Sequence, residues 1–167
     1  MKEYVTTATI AAPAERVWAV LAASEGYRQW NPEIIDIVGQ LGPGARIVAR
    51  VRLGDGAVRS VPQRVVEFQP PHRMTWVGGL PFGLFVGRRT FTVTPGANGV
   101  EFRMHLHMSG PLSSMILKSV GDRQPEIDRF AAALKQRCET RSWSKFQVEI
   151  ALSTFQRVES FDVGGSF

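Results

Sequence analysis

The sequence predicts an α+β fold in which a curved antiparallel sheet wraps around one long helix near the C-terminal end. Three observations predict it. First, Leu112, Met115, Ile116, Val120, Ile127, Phe130, Ala131, Leu134 and Cys138 recur at helical spacing across Gly110 to Glu139, with Arg123 filling the one gap in the stripe. Second, most of what precedes that stripe alternates polar and apolar side chains between turn signals, as sheet with one wet face does. Third, two short helical stretches follow the first strand-like segment.

In order, Lys2-side residues 3–11 carry Tyr4, Thr6, Ala8 and Ile10 on one side of a first strand. Pro13 then suits a helix start, and Val17, Trp18, Val20 and Leu21 give that helix an apolar face ending near Ala23. Ser24-Glu25-Gly26 breaks it. A second short helix carries Tyr27 and Trp30 and stops at Asn31-Pro32.

Strands follow. Ile34–Val38 is one, and Gly42-Pro43-Gly44 turns the chain into Arg46–Leu53, where Ile47, Ala49, Val51 and Leu53 face opposite to Arg46, Arg50 and Arg52. Gly54-Asp55-Gly56 makes a hairpin turn, and Pro62 makes the first half of Val58–Phe68 an edge or a bulge. Gln69-Pro70-Pro71 turns again into Arg73–Val77. Gly78 to Gly83 reads as a glycine-rich loop, and Phe85–Val93 and Val100–Met108 pair around Pro95 to Gly99. In the last helix Pro111 fits a first turn, whereas Pro125 removes an interior hydrogen bond, so a kink or short break is expected across Gly121–Pro125.

With 167 residues, 44% hydrophobic and 21% charged, the chain suits one domain, or one domain plus an appendage, with enough apolar side chain for a core. The net charge of +5 comes from scattered arginines rather than a basic run, which favours a solvated sheet face over a nucleic-acid surface. Cys138 is the single cysteine, so no intrachain disulfide or thiolate metal cluster is expected. Met1-Lys2-Glu3-Tyr4 opens directly into strand-like sequence, no apolar run is long enough to span a bilayer, and a cytoplasmic location without membrane insertion is the default.

Two local patterns reach further. Ile10-Ala11-Ala12-Pro13-Ala14-Glu15-Arg16-Val17-Trp18 with Tyr27-Arg28-Gln29-Trp30-Asn31-Pro32, and Val65-Val66-Glu67-Phe68-Gln69-Pro70-Pro71-His72-Arg73-Met74-Thr75-Trp76, resemble the START-like superfamily and in particular its polyketide cyclase/dehydrase branch. The resemblance covers roughly residues 3–139. It implies a helix-grip fold with an apolar cavity between sheet and long helix. Members bind lipids, sterols, polyketides, quinones or plant hormones, and only some are enzymes. The matching residues are core and turn residues, so no catalytic set carries over.

The chemistry-bearing motifs are sparse. There is no Walker or Rossmann glycine pattern and no nucleophile–histidine motif, so no catalytic residue, metal or cofactor is assigned. His105-Leu106-His107 puts two imidazoles on one strand face, but that face is assigned to solvent. Arg89 is more informative. Strict alternation with Phe85, Phe91 and Val93 carries it inward, where a guanidinium needs a partner; alternatively a bulge at Gly87 turns it out. Trp30, Met74, Trp76, Phe85, Phe91, Met104, Met108 and Met115 are core by default. Within a grip frame they become candidate cavity lining, with Arg89 as polar anchor. The expected function is binding of a small apolar or aromatic molecule by a domain spanning 1–139; the alternative is a cyclase or dehydratase using the same cavity. Residues 140–167 suit strand or helix equally. Their many large apolar residues, among them Trp143, Phe146, Ile150 and Phe155, point to a homodimer contact.

Overall fold

The computed structural model describes residues 1–140, so the expectations placed on residues 141–167 lie outside the described residues. Strand β1 (Lys2–Ile10) leads into helix α1 (Ala14–Ala22), a 3-10 turn (Ser24–Gly26) and helix α2 (Tyr27–Trp30). Strands β2 (Ile34–Val38), β3 (Arg46–Arg52), β4 (Val58–Gln69), β5 (Arg73–Leu80), β6 (Phe85–Gly96) and β7 (Gly99–Ser109) follow. Helices α3 (Ser113–Val120) and α4 (Gln124–Glu139) complete the described chain.

The seven strands form one antiparallel sheet in the order β1-β7-β6-β5-β4-β3-β2. Each hairpin neighbour pairs with the next, and the first strand returns to pair with the last. Alternation decides the faces: Tyr4, Ile10, Ile47, Ala49, Val51, Phe102, Met104 and Leu106 are buried, while Arg46, Arg50, Arg52, Glu101 and Arg103 stay in solvent. Pro62 lies in the part of β4 that pairs with β3 alone, before pairing with β5 begins at Gln63, so its missing N–H costs no ladder bond with β5.

One sequence expectation is corrected. Gly78 and Gly79 belong to β5 rather than to a loop, and only Pro81–Gly83 leaves the strand as a 3-10 turn. A side chain at Gly79 would collide with the Phe85 carbonyl across the hairpin, so glycine serves close strand approach there. The break expected across Gly121–Pro125 is present and divides the helical stretch into α3 and α4. Gly121, at φ 75°, ends α3 and donates to the Leu117 carbonyl at 3.0 Å. Pro125 then falls in the first turn of α4, where it breaks no hydrogen bond.

The break divides the apolar stripe. In α4, Ile127, Phe130, Ala131, Leu134 and Cys138 are all buried on the sheet. In α3 only Ser113 is buried, because after the break its apolar face no longer continues that of α4. Helix α4 also guards the edge of β1: Gln124 Nε2 donates to the Val5 carbonyl at 2.8 Å, Lys135 Nζ to the Thr9 carbonyl at 2.6 Å, and Glu139 Oε1 accepts from Ala11 N–H at 2.8 Å. These contacts occupy polar groups that an edge strand otherwise offers to other chains.

The unequal burial of the two helices sets the first prediction. Leu134→Ala is expected to cost about 2–5 kcal/mol in urea unfolding, the range for emptying a packed site. Met115→Ala, on exposed α3, is expected to change stability by less than about 0.5 kcal/mol.

Candidate functional site

The site is built where β6 faces the start of α4. Strand β6 pairs with β5 and β7 without a register shift, so no bulge forms at Gly87 and alternation carries Arg89 inward. It stands opposite Trp76 on β5 and Leu106 on β7 and is buried. Among the described residues its guanidinium makes no hydrogen bond or ion pair. The other walls come from two elements. Helix α4 and the residue before it supply Arg123, Glu126, Ile127 and Phe130, spaced to share one helix face. The connection from α2 to β2 supplies Glu33, whose backbone is fixed by Asn31: its Oδ1 accepts from Glu33 N–H and Ile34 N–H, both at 2.9 Å.

These groups form a buried charge network. Arg123 pairs with Glu126 in the interior, and Glu33 Oε1 accepts from Arg129 Nε at 2.6 Å. Three guanidinium groups thus meet two carboxylates; Arg129 lies at the exposed rim, and among the described residues the buried Arg89 is left unpaired. Burial and the nearby Arg123 charge lower the Arg89 pKa to about 10, against the pull of Tyr27, Glu126 and Glu33, so it remains cationic at neutral pH. Burial raises the Glu126 carboxyl above its ordinary range, aided by Glu33 and opposed by Arg123, Arg89 and Arg129. Burial likewise raises the Tyr27 phenol, whose hydroxyl donates to the Leu21 carbonyl at 2.8 Å.

A cavity of about 10 Å³ lies between Arg89, Met104 and these walls, room for about one water. Of the residues singled out in the sequence, Arg89 and Met104 border it directly. Met74, Trp76 and Phe91 are fully buried against neighbours; Trp76 meets Phe91 edge-on with centroids 4.9 Å apart. Met108 is buried, and Trp30 is half-buried against Tyr27 and Phe130 at 5.0 and 5.3 Å. Phe85 is half-buried at the start of β6, and Met115 is 61% exposed on α3. The indole N–H groups of Trp76 and Trp30 are buried without an acceptor among the described residues. With Arg89, Arg123 Nε and Asn31 Nδ2 they leave unmet donors in the interior, chemistry suited to an acceptor oxygen.

Sequence reasoning missed Glu33, Glu126 and Phe130 as site residues. Glu126 did carry a signal: Arg123, Glu126, Ile127 and Phe130 fall at i, i+3, i+4 and i+7, so a carboxylate shares the buried stripe. Glu33 carried none, because a loop side chain follows no period. His105 and His107 face Glu3 at 3.6 and 3.8 Å on the outer side of the sheet, away from this site.

The model of the family described as polyketide cyclase / dehydrase and lipid transport matches residues 1–139. The chain belongs to that family. Its fold is that of solved START-like relatives. A START superfamily protein from Mycobacterium smegmatis is 19% identical, with TM-score 0.64 over 82% of this chain and 97% of its own. A protein from Mesorhizobium loti is 21% identical, with TM-score 0.63 over 81% and 95%. The di-domain ARO/CYC protein BexL of the BE-7585A biosynthetic pathway is 15% identical, with TM-score 0.63 over 84% of this chain, which spans 50% of that protein. No curated protein matches the chain.

The raised Glu126 carboxyl carries a pH consequence. A carboxyl whose pKa is higher folded than unfolded binds its proton more tightly in the folded state. Its stabilising contribution is therefore full below the unfolded pKa and is lost as pH rises through the folded pKa. Stability measured by urea unfolding across that interval is expected to fall less with pH in Glu126→Gln than in the parent protein.

Proposed function

We propose that the chain is a cytoplasmic binding protein for a small apolar or aromatic molecule carrying an anionic or strongly polar oxygen, of lipid, polyketide or quinone-like character. The carrying observation is Arg89: a cationic guanidinium, buried beneath α4, with no hydrogen-bond partner among the described residues. Such a group is costly to hold inside unless a ligand or water completes it. Family membership supports ligand binding as the general role. A drug-sized ligand needs several hundred Å³, roughly 300 or more. Binding therefore requires the interior to open, and the elements that cost least to displace are α3 and the half-buried rings of Trp30 and Phe85. In this reading Trp76 and Phe91 meet the ligand's ring system, Met74, Met104, Met108 and Met115 adapt to its apolar body, and Arg89 holds its oxygen.

A second reading, polyketide cyclisation or dehydration in the same place, is favoured by Glu126. A buried carboxyl whose pKa burial raises above the ordinary range is suited to exchange a proton with a substrate oxygen that Arg89 polarises. We also propose that residues 140–167 join two copies of the chain, since they carry too many large apolar side chains to stay in water.

Anilinonaphthalene sulfonate and Nile red serve as anionic and neutral aromatic probes. Arg89→Met is expected to weaken the anionic probe by about 1.5–3 kcal/mol, the range for a hydrogen bond to a charged group, and to leave the neutral probe nearly unchanged. Equal losses for both, or none, would reject the anchor. Turnover of a poly-β-keto thioester that disappears in Glu126→Gln while probe binding persists would establish the enzymatic reading. For assembly, analytical ultracentrifugation of the full chain is expected to give a dimer; a monomer at high micromolar concentration rejects the role given to residues 140–167.

A further inference from the structure

One end of the sheet carries an apolar surface unlike the rest of the molecule. The turn between β5 and β6 presents Leu80, Phe82 and Leu84 to solvent, and Phe82 is 99% exposed. Its backbone sits at φ 58° and ψ 22°, the left-handed region that a bulky residue avoids. The turn is nonetheless held. Leu112 N–H donates to the Leu84 carbonyl at 2.9 Å. Gly110 comes so close that an added side chain would lie 2.6 Å from the Leu84 carbonyl oxygen. That contact brings the turn beside α3, whose Met115 is also exposed, with Lys118 one turn further on the same helix face.

The chain segments that form this surface carry charge of one sign. No aspartate or glutamate occurs between Glu67 and Glu101, or between Glu101 and Asp122, so the turn, α3 and both flanking strand ends contain no carboxylate. The cations there are Arg88, on the outer face near the turn, and Lys118. Glu3, the acidic residue nearest in register, stands two strands from Arg88 on the same outer face, where it faces His105 and His107.

We propose that this end docks on the surface of an anionic lipid bilayer, with Phe82 inserted at the tip and Leu80, Leu84 and Met115 entering the headgroup boundary around it. Protruding apolar side chains bordered by cations, with no carboxylate to repel lipid phosphates, are complementary to such a surface. An aqueous surface gives no reason to hold a phenyl ring outward in a strained backbone. The contact is peripheral: no helix among the described residues is long and apolar enough to cross a membrane. Docking is independent of whether a ligand occupies the interior.

The test is co-sedimentation of the full chain with vesicles of phosphatidylcholine containing about one-fifth phosphatidylglycerol, against vesicles of phosphatidylcholine alone. Binding is expected to the anionic vesicles and to be weaker on neutral ones. Phe82→Ser is expected to lower the partition coefficient at least about tenfold, as loss of a buried phenyl ring predicts. Lys118→Glu is expected to lower it about fivefold, and Met115→Ser supplies an independent apolar variant. Neither Phe82→Ser nor Lys118→Glu is expected to change Tm. No vesicle binding, or binding that Phe82→Ser leaves unchanged, overturns the proposal. So does either alternative occupant: Phe82→Ser converting a dimer to monomer would assign the surface to a second copy, and Phe82→Ser lowering Tm by several degrees would assign it to the chain's own C-terminal residues.

Discussion

The packing of Phe130 against the concave face of the sheet is the contact on which the rest depends. Its ring lies 5.6 Å from Phe91, 6.2 Å from Phe102, 6.3 Å from Tyr27 and 5.3 Å from Trp30, centroid to centroid. One side chain of α4 therefore joins β6, β7 and α2. Aromatic pairs at these separations add specific geometry to the area they bury. Because Phe130 fixes the height of α4 above the sheet, it also sets how closely Glu126 and Arg123, one and two turns earlier, approach Arg89.

That approach makes the interior both a core and a site. Most of the concave side is filled by Trp76, Phe91, Met74 and Met104. Filling stops where the charges begin, since guanidinium and carboxylate groups cannot close on apolar neighbours without giving up hydrogen bonds. A buried charge network is weak as a source of stability, because desolvation opposes the attraction within it. Four buried charged groups, Glu33, Arg89, Arg123 and Glu126, therefore gather at the start of α4 at a desolvation cost that folding alone does not repay.

The two ends of the sheet have different work. At the end near Thr9 and Ala11, α4 satisfies backbone and side-chain polar groups and shields the edge of β1. At the opposite end α3 buries little, and the turn holding Phe82 stands clear of the protein. Low burial there makes that end the least costly to move.

The sequence by itself determined the strand and helix order, the faces of the strands and the antiparallel sheet, since each follows from period-two alternation, helical spacing and turn residues. It also located the interruption at Gly121–Pro125, because proline acts on its own backbone whatever surrounds it. For Arg89 the sequence left two directions open, and only pairing on both sides of β6 without a shift decided between them. Local pattern likewise gave no sign that α3 would leave Met115 in solvent, that Gly79 served strand approach, or that Glu33 would meet Arg129 from 96 positions away. Those facts depend on which surfaces meet once the sheet has curled over α4. Periodicity reports only the side of its own element on which a residue stands; what stands opposite is decided by the tertiary structure.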